Sequence, residues 1–139
     1  MNNQPKSYVF LAQVKYMLNE FEEGFSYLFL LLNSNYQDVY SLLHTLFEMS
    51  PAAVCHFEKK LDSLFTQNHV HKEKIQSLFL DVLCKCNDLP NQLSTSDLDE
   101  IGTRYWRVFY TLRNKDEYLK QAILYCFMCA LKWNDPMAI

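Results

Sequence analysis

Glycine and proline are scarce in this sequence, which has two glycines and four prolines among 139 residues. All-β folds depend on many turns and usually on many glycines, so the scarcity favours a helical protein. The two glycines, Gly24 and Gly102, can hardly build the glycine-rich loop that cradles nucleotide phosphates. A phosphate-binding site of that kind is therefore not expected.

A concentration of positive charge is missing as well. The formal net charge is −3, and the basic residues are scattered along the chain. Nucleic-acid-binding proteins normally carry a dense basic patch, so direct contact with DNA or RNA is not expected. The most apolar run, Tyr27 to Leu32, is far too short to cross a bilayer. The polar stretch Met1 to Ser7 is unlike a secretion signal, which predicts an intracellular protein without a membrane segment.

Apolar residues, in contrast, recur at helical spacing almost throughout. Half of the residues are hydrophobic and 15% are aromatic, which lets a chain of this length bury a core without disulfides or metal. The pattern predicts an all-α fold of about seven helices with short loops. The first helix is predicted over Tyr8 to Glu22, with a turn at Gly24. The second helix is predicted to end near Asn33. Caps mark the starts of later helices at Ser34 or Asn35, Ser50-Pro51, Ser96 and Asn114. A polar break ends near His71, and the last helix ends before Asp135-Pro136.

Four of the five cysteines form two close pairs, Cys84-x-Cys86 and Cys126-x-x-Cys129. Four thiolates can hold a structural zinc ion, but the first pair is too tightly spaced for the usual knuckle, and the second lies within an apolar helix. A redox role for the second pair would need a helix N-terminus to lower the thiol pKa, and these residues are in mid-helix. We therefore predict reduced, buried thiols, no metal and no cofactor.

Residues that could carry catalysis do not assemble into a recognisable site. His56 follows Cys55, but a nucleophilic pair depends on arrangement in space and not on adjacency in sequence. His69 and His71 lie in a polar segment, where surface histidines are common. The sequence therefore predicts a protein that is not an enzyme.

The segment Arg104-Tyr105-Trp106-Arg107 combines residue types that are enriched at binding hot spots. Trp106 lies off the apolar stripe of its predicted helix, which favours exposure. Arg104, Trp106 and Arg107 are therefore a candidate second interface. The alternative is that the aromatic residues here fill the core.

A more specific pattern runs through the first half of the chain. It opens with Phe10-Leu11-Ala12-Gln13-Val14-Lys15 and continues at fixed offsets with Phe25, Leu28, Phe29, Leu31, Leu32, Val39, Leu43, Leu46, Phe47, Pro51, Phe57 and Leu61. Over residues of about 7–65, this pattern resembles a divergent paired amphipathic helix repeat of the SIN-type transcriptional corepressor family. The chain departs from that family in a shorter connection between the second and third helices, in Met49-Ser50 in place of Gly-His, and in Lys60 in place of phenylalanine.

The resemblance implies a four-helix up-and-down bundle over residues 1–66. Such a bundle binds an amphipathic helix of another protein in a groove between its first two helices. By family position, the groove-lining residues are Leu11, Val14, Leu18, Phe25, Leu28, Phe29 and Leu32. The resemblance also implies a nuclear transcription or chromatin regulatory complex. Residues 67–139 are then a helical extension packed on this bundle, or a second small helical module.

Two other functions remain open at this point. The chain could be a structural bundle subunit whose aromatic-rich faces are permanent interfaces in a larger assembly. It could also be a helical regulator of the cell-death type, which binds amphipathic helices in a groove. The only hint of the latter is the segment Gly102 to Phe109, which loosely resembles the groove helix of that family. A cytoplasmic location is the alternative to the nucleus.

Overall fold

The computed structural model describes residues 4–33, 38–113 and 115–134, and all regular structure in these ranges is helical. The predicted all-α class is therefore confirmed. The α-helices are α1 (Gln4–Met17), α2 (Phe21–Asn33), α3 (Val39–Met49), α4 (Pro51–Thr66), α5 (Lys72–Leu83), α6 (Thr95–Leu112) and α7 (Asp116–Trp133), with a 3-10 helix over Leu89–Gln92. Among the described residues, no helix is long and apolar enough to cross a membrane.

The chain divides into two compact units, Met1–Val82 and Leu83–Ile139. The sequence predicts a boundary near residue 66, whereas in the structure α5 groups with the first unit. The reason is aromatic packing, since the ring of Phe79 on α5 stacks on Phe57 of α4 with centroids 5.1 Å apart. In addition, the Tyr40 hydroxyl on α3 donates a hydrogen bond to the carbonyl of Asp81 at 3.3 Å. The described part of the first unit thus contains five helices, α1 to α5.

Phe57 is the centre of the core of the first unit. Its ring meets Phe25 of α2 at 5.3 Å and Phe47 of α3 at 5.6 Å, both edge-to-face, in addition to the stacked Phe79. Edge-to-face and offset pairs are the favourable geometries for aromatic rings. Four helices therefore converge on one side chain. Fully buried leucines surround this centre: Leu28, Leu31, Leu43, Leu46, Leu61 and Leu80.

Asparagine, and not glycine, ends two of the helices in the first unit. Asn19 and Asn68 adopt the left-handed conformation, with φ of 61° and 53°. After α1, the Glu20 amide donates to the Lys15 carbonyl and the Asn19 amide to the Tyr16 carbonyl, at 2.8 and 3.1 Å. This is the Schellman pattern of a helix C-terminus. The predicted turn at Gly24 is therefore wrong, because the chain already turns at Asn19 and Gly24 lies inside α2.

Gly24 has a packing role within α2. A Cβ atom built at this position would lie 2.8 and 2.9 Å from two ring carbons of Tyr16, a buried side chain of α1. The missing side chain therefore allows α1 and α2 to approach closely at the end of their hairpin that adjoins the turn.

We expect Gly24→Ala to destabilise the first unit although alanine is the better helix former. The helix-propensity gain is about 1 kcal/mol, whereas forcing a methyl group into a packed ring contact costs about 1–3 kcal/mol, so the net loss should be about 1 kcal/mol. Urea unfolding followed by circular dichroism measures it. Ser26→Ala, at an exposed position of the same helix, is the matched control and should change stability by less than about 0.5 kcal/mol. A stabilised Gly24→Ala variant would contradict the close approach.

Two helix starts follow from serine caps. The Ser50 side chain accepts a hydrogen bond from the Ala53 amide at 3.2 Å, and Pro51 is the first helical residue, as predicted. At α6 the cap is Ser94 and not the predicted Ser96, because the Ser94 hydroxyl accepts from the Asp97 amide at 3.2 Å. The predicted caps at Ser34, Asn35 and Asn114 and the end signal Asp135-Pro136 lie outside the described residues.

In the second unit, α6 and α7 pack against each other as a helical hairpin. Its buried centre is a cluster of tyrosine rings, in which Tyr105 of α6 lies 5.4 Å from Tyr118 and 5.8 Å from Tyr125 of α7. Gly102 allows the two helices to approach, since a Cβ atom there would lie 3.2 Å from the Cβ of Tyr125. Lys132 closes the far end by donating to the carbonyls of Asn91 and Leu93 in the connection before α6.

Candidate functional site

The groove residues predicted on α2 lie mainly in the core of the first unit. Four of the predicted groove residues lie on α2, and three of them are buried: Phe25, Leu28 and Leu32. The ring of Phe25 packs on Phe57 of α4, as described above. Phe29 is half-buried, and the ring of His69 lies edge-to-face against it at 5.1 Å. In this conformation Leu28 has no surface that a partner could contact, so the α2 half of the predicted groove is a packing surface.

The groove residues predicted on the first helix lie at the surface. Leu11 and Val14 are half-buried on α1. Leu18 is in the turn that follows this helix and is mostly exposed. The structure thus separates the predicted set into a buried part on α2 and an accessible part on and beside α1.

Two exposed residues extend the accessible part. Phe10 and Met17 are 64% and 68% exposed. They share a helix face with Val14, because positions i, i+4 and i+7 align on one side of a helix. The opposite side of α1 carries Ala12 and Tyr16, which are buried. We call the outward set the α1 face; its members are Phe10, Leu11, Val14, Met17 and Leu18.

Charge is concentrated at one end of the α1 face. Lys15 is the only charged residue from Ser7 to Leu18, and its ammonium group lies 2.7 Å from Glu20 and 3.0 Å from Glu23. The hydrogen bonds that Lys15 donates to the Glu20 and Glu23 carboxylates raise the pKa of Lys15, so the group stays cationic. The α1 face is therefore an apolar surface with a paired, charged rim at the turn.

A second ion-pair cluster joins α2 to α4. The Glu22 carboxylate accepts hydrogen bonds from Lys60 at 2.5 Å and contacts His56 Nε2 at 3.2 Å. The hydrogen bond from Lys60 is the largest cause of a Glu22 pKa below its usual range, and the hydrogen bond with His56 is the next. The sequence offers no support for a nucleophilic pair of His56 with Cys55, and in the structure the imidazole of His56 contacts the Glu22 carboxylate. The cluster has the geometry of a surface ion pair between packed helices.

Phe10 and Met17 are the functional candidates that the sequence reasoning missed. Phe10 stands in the opening motif Phe10-Leu11-Ala12-Gln13-Val14-Lys15, but the family resemblance marks only the positions that line the groove between the first two helices. Because apolar residues lie on all sides of α1, periodicity alone did not mark an outward face. The available signal was the i, i+4, i+7 spacing of Phe10, Val14 and Met17.

The candidate second interface is arranged differently from the prediction. Trp106 is 46% exposed, which agrees with its position off the apolar stripe. Its ring neighbours are Phe109 at 6.2 Å and Tyr110 at 5.9 Å, and the Arg113 guanidinium lies over the Tyr110 ring at 4.8 Å. Arg104 is half-buried and Arg107 is exposed. Neither shares a helix face with Trp106, because residues one or two positions apart on a helix point in different directions. The aromatic–cation group is thus Trp106, Tyr110 and Arg113.

The five cysteines are free thiols, but the predicted burial is wrong for most of them, since only Cys86 is buried and Cys126 is exposed on α7. Cys84 Sγ contacts the Tyr105 hydroxyl at 3.5 Å, and Cys129 Sγ donates to the Thr95 carbonyl at 3.4 Å. Partial desolvation, followed by the nearby Asp99 carboxylate, raises the pKa of Cys126, so this group is a thiol near neutral pH and a poor nucleophile. Within the described ranges, no group of three or more histidine, cysteine or acidic side chains is placed to hold a metal ion.

The chain was also compared with known proteins. No family model, no curated protein and no solved structure matches it.

Proposed function

We propose that the first unit is a non-enzymatic interaction module that binds an amphipathic helix of another protein on the α1 face. The observation that carries this proposal is the exposure of Phe10, Met17 and Leu18 on one short helix and its turn. Clustered exposed apolar side chains are unusual on a protein that has no partner, and they mark interaction sites. The α1 face would bind a partner that presents an apolar surface of similar width.

The shape of the α1 face favours a helical partner. Its members extend from Phe10 to Leu18, which is about 12 Å or two turns along a helix. A partner helix presents apolar side chains at i, i+3, i+4 and i+7 over the same distance. Each Leu-sized side chain that the partner buries contributes about 1.5–3 kcal/mol before ordering costs. Lys15, Glu20 and Glu23 at the rim would orient the partner more than they would strengthen binding.

The finer part of the proposal is a partner in a nuclear transcription or chromatin regulatory complex. It is supported by the resemblance of residues of about 7–65 to a paired amphipathic helix repeat. Since Phe25, Leu28 and Leu32 are buried, the proposed contact lies on the outward side of α1 and not between α1 and α2. A cytoplasmic partner would use the same surface and the same chemistry.

The proposal predicts that a negative charge on the α1 face abolishes helix binding. The probe is a fluorescein-labelled synthetic helix with leucine at i, i+3, i+4 and i+7 and charged residues elsewhere, and binding is measured by fluorescence anisotropy. Phe10→Asp and Met17→Asp should each weaken binding by about tenfold or more, because a carboxylate would be buried against apolar side chains. Both positions are exposed, so the variants should fold. Leu32 is unsuitable for this test, because it is buried.

Val70→Asp is the matched control, since Val70 is 84% exposed in the loop between α4 and α5 and undergoes the same change. It should bind the probe as wild type does. Circular dichroism verifies that all variants are helical. Folded wild type that does not bind the probe, or binding that survives both α1 variants, would contradict the proposal.

The alternative function, a bundle subunit with an interface of its own, is favoured by a separate observation. The exposed side of α7 is as apolar as the α1 face, and it belongs to the second unit.

A further inference from the structure

Positive charge is concentrated in the C-terminal half of α6 and just after it. The three arginines of the chain all lie there: Arg104, Arg107 and Arg113. Lys115 follows them, and no acidic residue occurs from Ile101 to Lys115. The chain as a whole has a net charge of −3, so this segment has the opposite sign from the rest of the molecule. Complementary charge would therefore draw an anionic partner to this part of the second unit.

Two of these arginines are not neutralised by a carboxylate of the chain. Within the described ranges, no acidic side chain lies at ion-pairing distance from Arg107 or Arg113. This holds even for Asp116 and Glu117, which begin α7 shortly after Arg113. The C-terminal end of α6 carries a negative partial charge of about half a unit, which the two guanidinium groups exceed. The field at this surface therefore favours an anion.

The guanidinium group of Arg113 is already held in one orientation. It lies over the Tyr110 ring at 4.8 Å, and its Nε donates a hydrogen bond to the Tyr110 carbonyl at 3.2 Å. These contacts use one face and one donor, and they leave the two terminal amino groups for a ligand. A carboxylate accepts two parallel hydrogen bonds from such an edge. Because the side chain is ordered beforehand, binding would cost little additional conformational entropy.

An exposed aromatic surface adjoins this guanidinium. Trp106 is 46% exposed, and its ring is fixed by Tyr110 at 5.9 Å and Phe109 at 6.2 Å. Trp106 precedes Tyr110 by four residues, so the two rings lie on one side of α6 next to Arg113. Tryptophan, tyrosine and arginine are the residue types that contribute most often to binding hot spots. The matching partner presents a large apolar side chain beside a carboxylate.

We propose that the aromatic–cation group of Trp106, Tyr110 and Arg113 binds an acidic segment of a partner protein. An aspartate or glutamate of the partner pairs with the terminal edge of Arg113, and a neighbouring apolar side chain packs on the Trp106 ring. Arg107 lies three residues before Tyr110 and adds positive charge at the edge of the contact. The contact is small, so binding should be reversible, with a Kd of about 10–100 µM. This proposal does not depend on the function assigned to the α1 face.

Other anions fit this surface less well. Small-molecule sites are concave, whereas the outward side of a helix is convex. Single-stranded nucleic acids stack on aromatic rings, but they also need a track of cations along successive phosphates. Arg107 and Arg113 alone do not form such a track on a chain of net charge −3. An acidic peptide segment needs only one paired carboxylate and one apolar contact.

Fluorescence anisotropy with the full chain tests the proposal. The probe is a short fluorescein-labelled peptide in which glutamates flank a Phe-Leu pair, and the same peptide with glutamine in place of each glutamate is the neutral comparison. Arg113→Gln should weaken binding of the acidic peptide by about tenfold, because the charged fork is lost. Trp106→Ala should weaken it to a similar extent, by about tenfold. Arg113→Lys keeps the charge without the paired hydrogen bonds and should weaken binding by about threefold.

Lys120→Gln is the matched control, because Lys120 is exposed on α7 of the same unit and loses the same charge. It should bind within about twofold of wild type, since separated surface charges are screened. Circular dichroism verifies that every variant is folded. Folded wild type that does not bind the acidic peptide, equal binding of the neutral peptide, or Lys120→Gln as weak as Arg113→Gln would overturn the proposal. Tighter binding of labelled oligothymidine, lost in the same variants, would assign the surface to nucleic acid and overturn the peptide partner.

Discussion

Replacing Phe57 by alanine should lower the free energy of unfolding of the first unit by about 3–5 kcal/mol, the usual range for a phenylalanine removed from a core. The Phe57 ring is fully buried and contacts aromatic rings from three other helices: Phe25, Phe47 and Phe79. Those rings belong to separate helices and cannot all move into the cavity. Because small domains are stable by only about 5–15 kcal/mol, a loss of this size should leave the first unit close to unfolding at 37 °C.

Far-UV circular dichroism during urea unfolding is the appropriate measurement for Phe57→Ala. Both tryptophans, Trp106 and Trp133, lie in the second unit, so their fluorescence does not report directly on Phe57. Phe10→Ala is the matched control, since the same ring is removed from a mostly exposed position, and it should cost less than about 0.5 kcal/mol. If the two variants lost similar stability, Phe57 would not be the centre of this core.

Helix starts could be predicted from the sequence where the determining contacts are local. The start of α4 depends on the Ser50 hydroxyl and on Pro51, which act within one turn of the helix, and both were assigned from sequence. At α6, two serines with an acidic residue three positions later compete, at Ser94 and Ser96, and the local pattern does not distinguish them. A cap can therefore be recognised from sequence, although its register can shift by two residues.

The turn after α1 could not be placed from sequence, because the role of Gly24 depends on a contact across the hairpin. Glycine in a helical pattern is a common turn signal. Here the glycine accommodates the ring of Tyr16, eight residues earlier in the chain. Asn19 adopts the left-handed conformation instead, with φ of 61°. Asparagine tolerates this conformation better than most residues, so it was the second signal available.

The candidate site was only partly predictable for a related reason. Periodicity shows which residues share a helix face, but it does not show which neighbouring helix covers that face. Phe25, Leu28 and Leu32 share a face, and α4 and its neighbours bury it. Phe10 and Met17 share another face, which the described residues of the first unit leave mostly exposed. Periodicity likewise does not show that α5 joins the first unit, because this depends on the stacking of Phe79 on Phe57.

In the second unit, Tyr105→Ala should have an effect as large as that of Phe57→Ala. The Tyr105 ring is fully buried against Tyr118 and Tyr125, and its hydroxyl contacts Cys84. The described part of this unit has two α-helices and, before them, a segment with the 3-10 helix over Leu89–Gln92, so the core around the lost ring is small. We expect a loss of about 3–5 kcal/mol in the free energy of unfolding. Tryptophan fluorescence during urea unfolding measures it, because Trp106 adjoins Tyr105 and Trp133 ends α7.

Two further variants separate packing from hydrogen bonding at Tyr105. Tyr105→Phe keeps the ring and removes the hydroxyl, so it should cost about 0.5–1.5 kcal/mol. Tyr110→Ala removes the same side chain from a half-exposed position on the same helix and should cost less than about 1 kcal/mol. If Tyr105→Phe were as damaging as Tyr105→Ala, the contact with Cys84 would dominate the stability of this hairpin. If Tyr110→Ala were as damaging as Tyr105→Ala, the stabilising surface would be the aromatic group around Trp106. The structure predicts neither result, because the buried contacts of the hairpin centre on the Tyr105 ring.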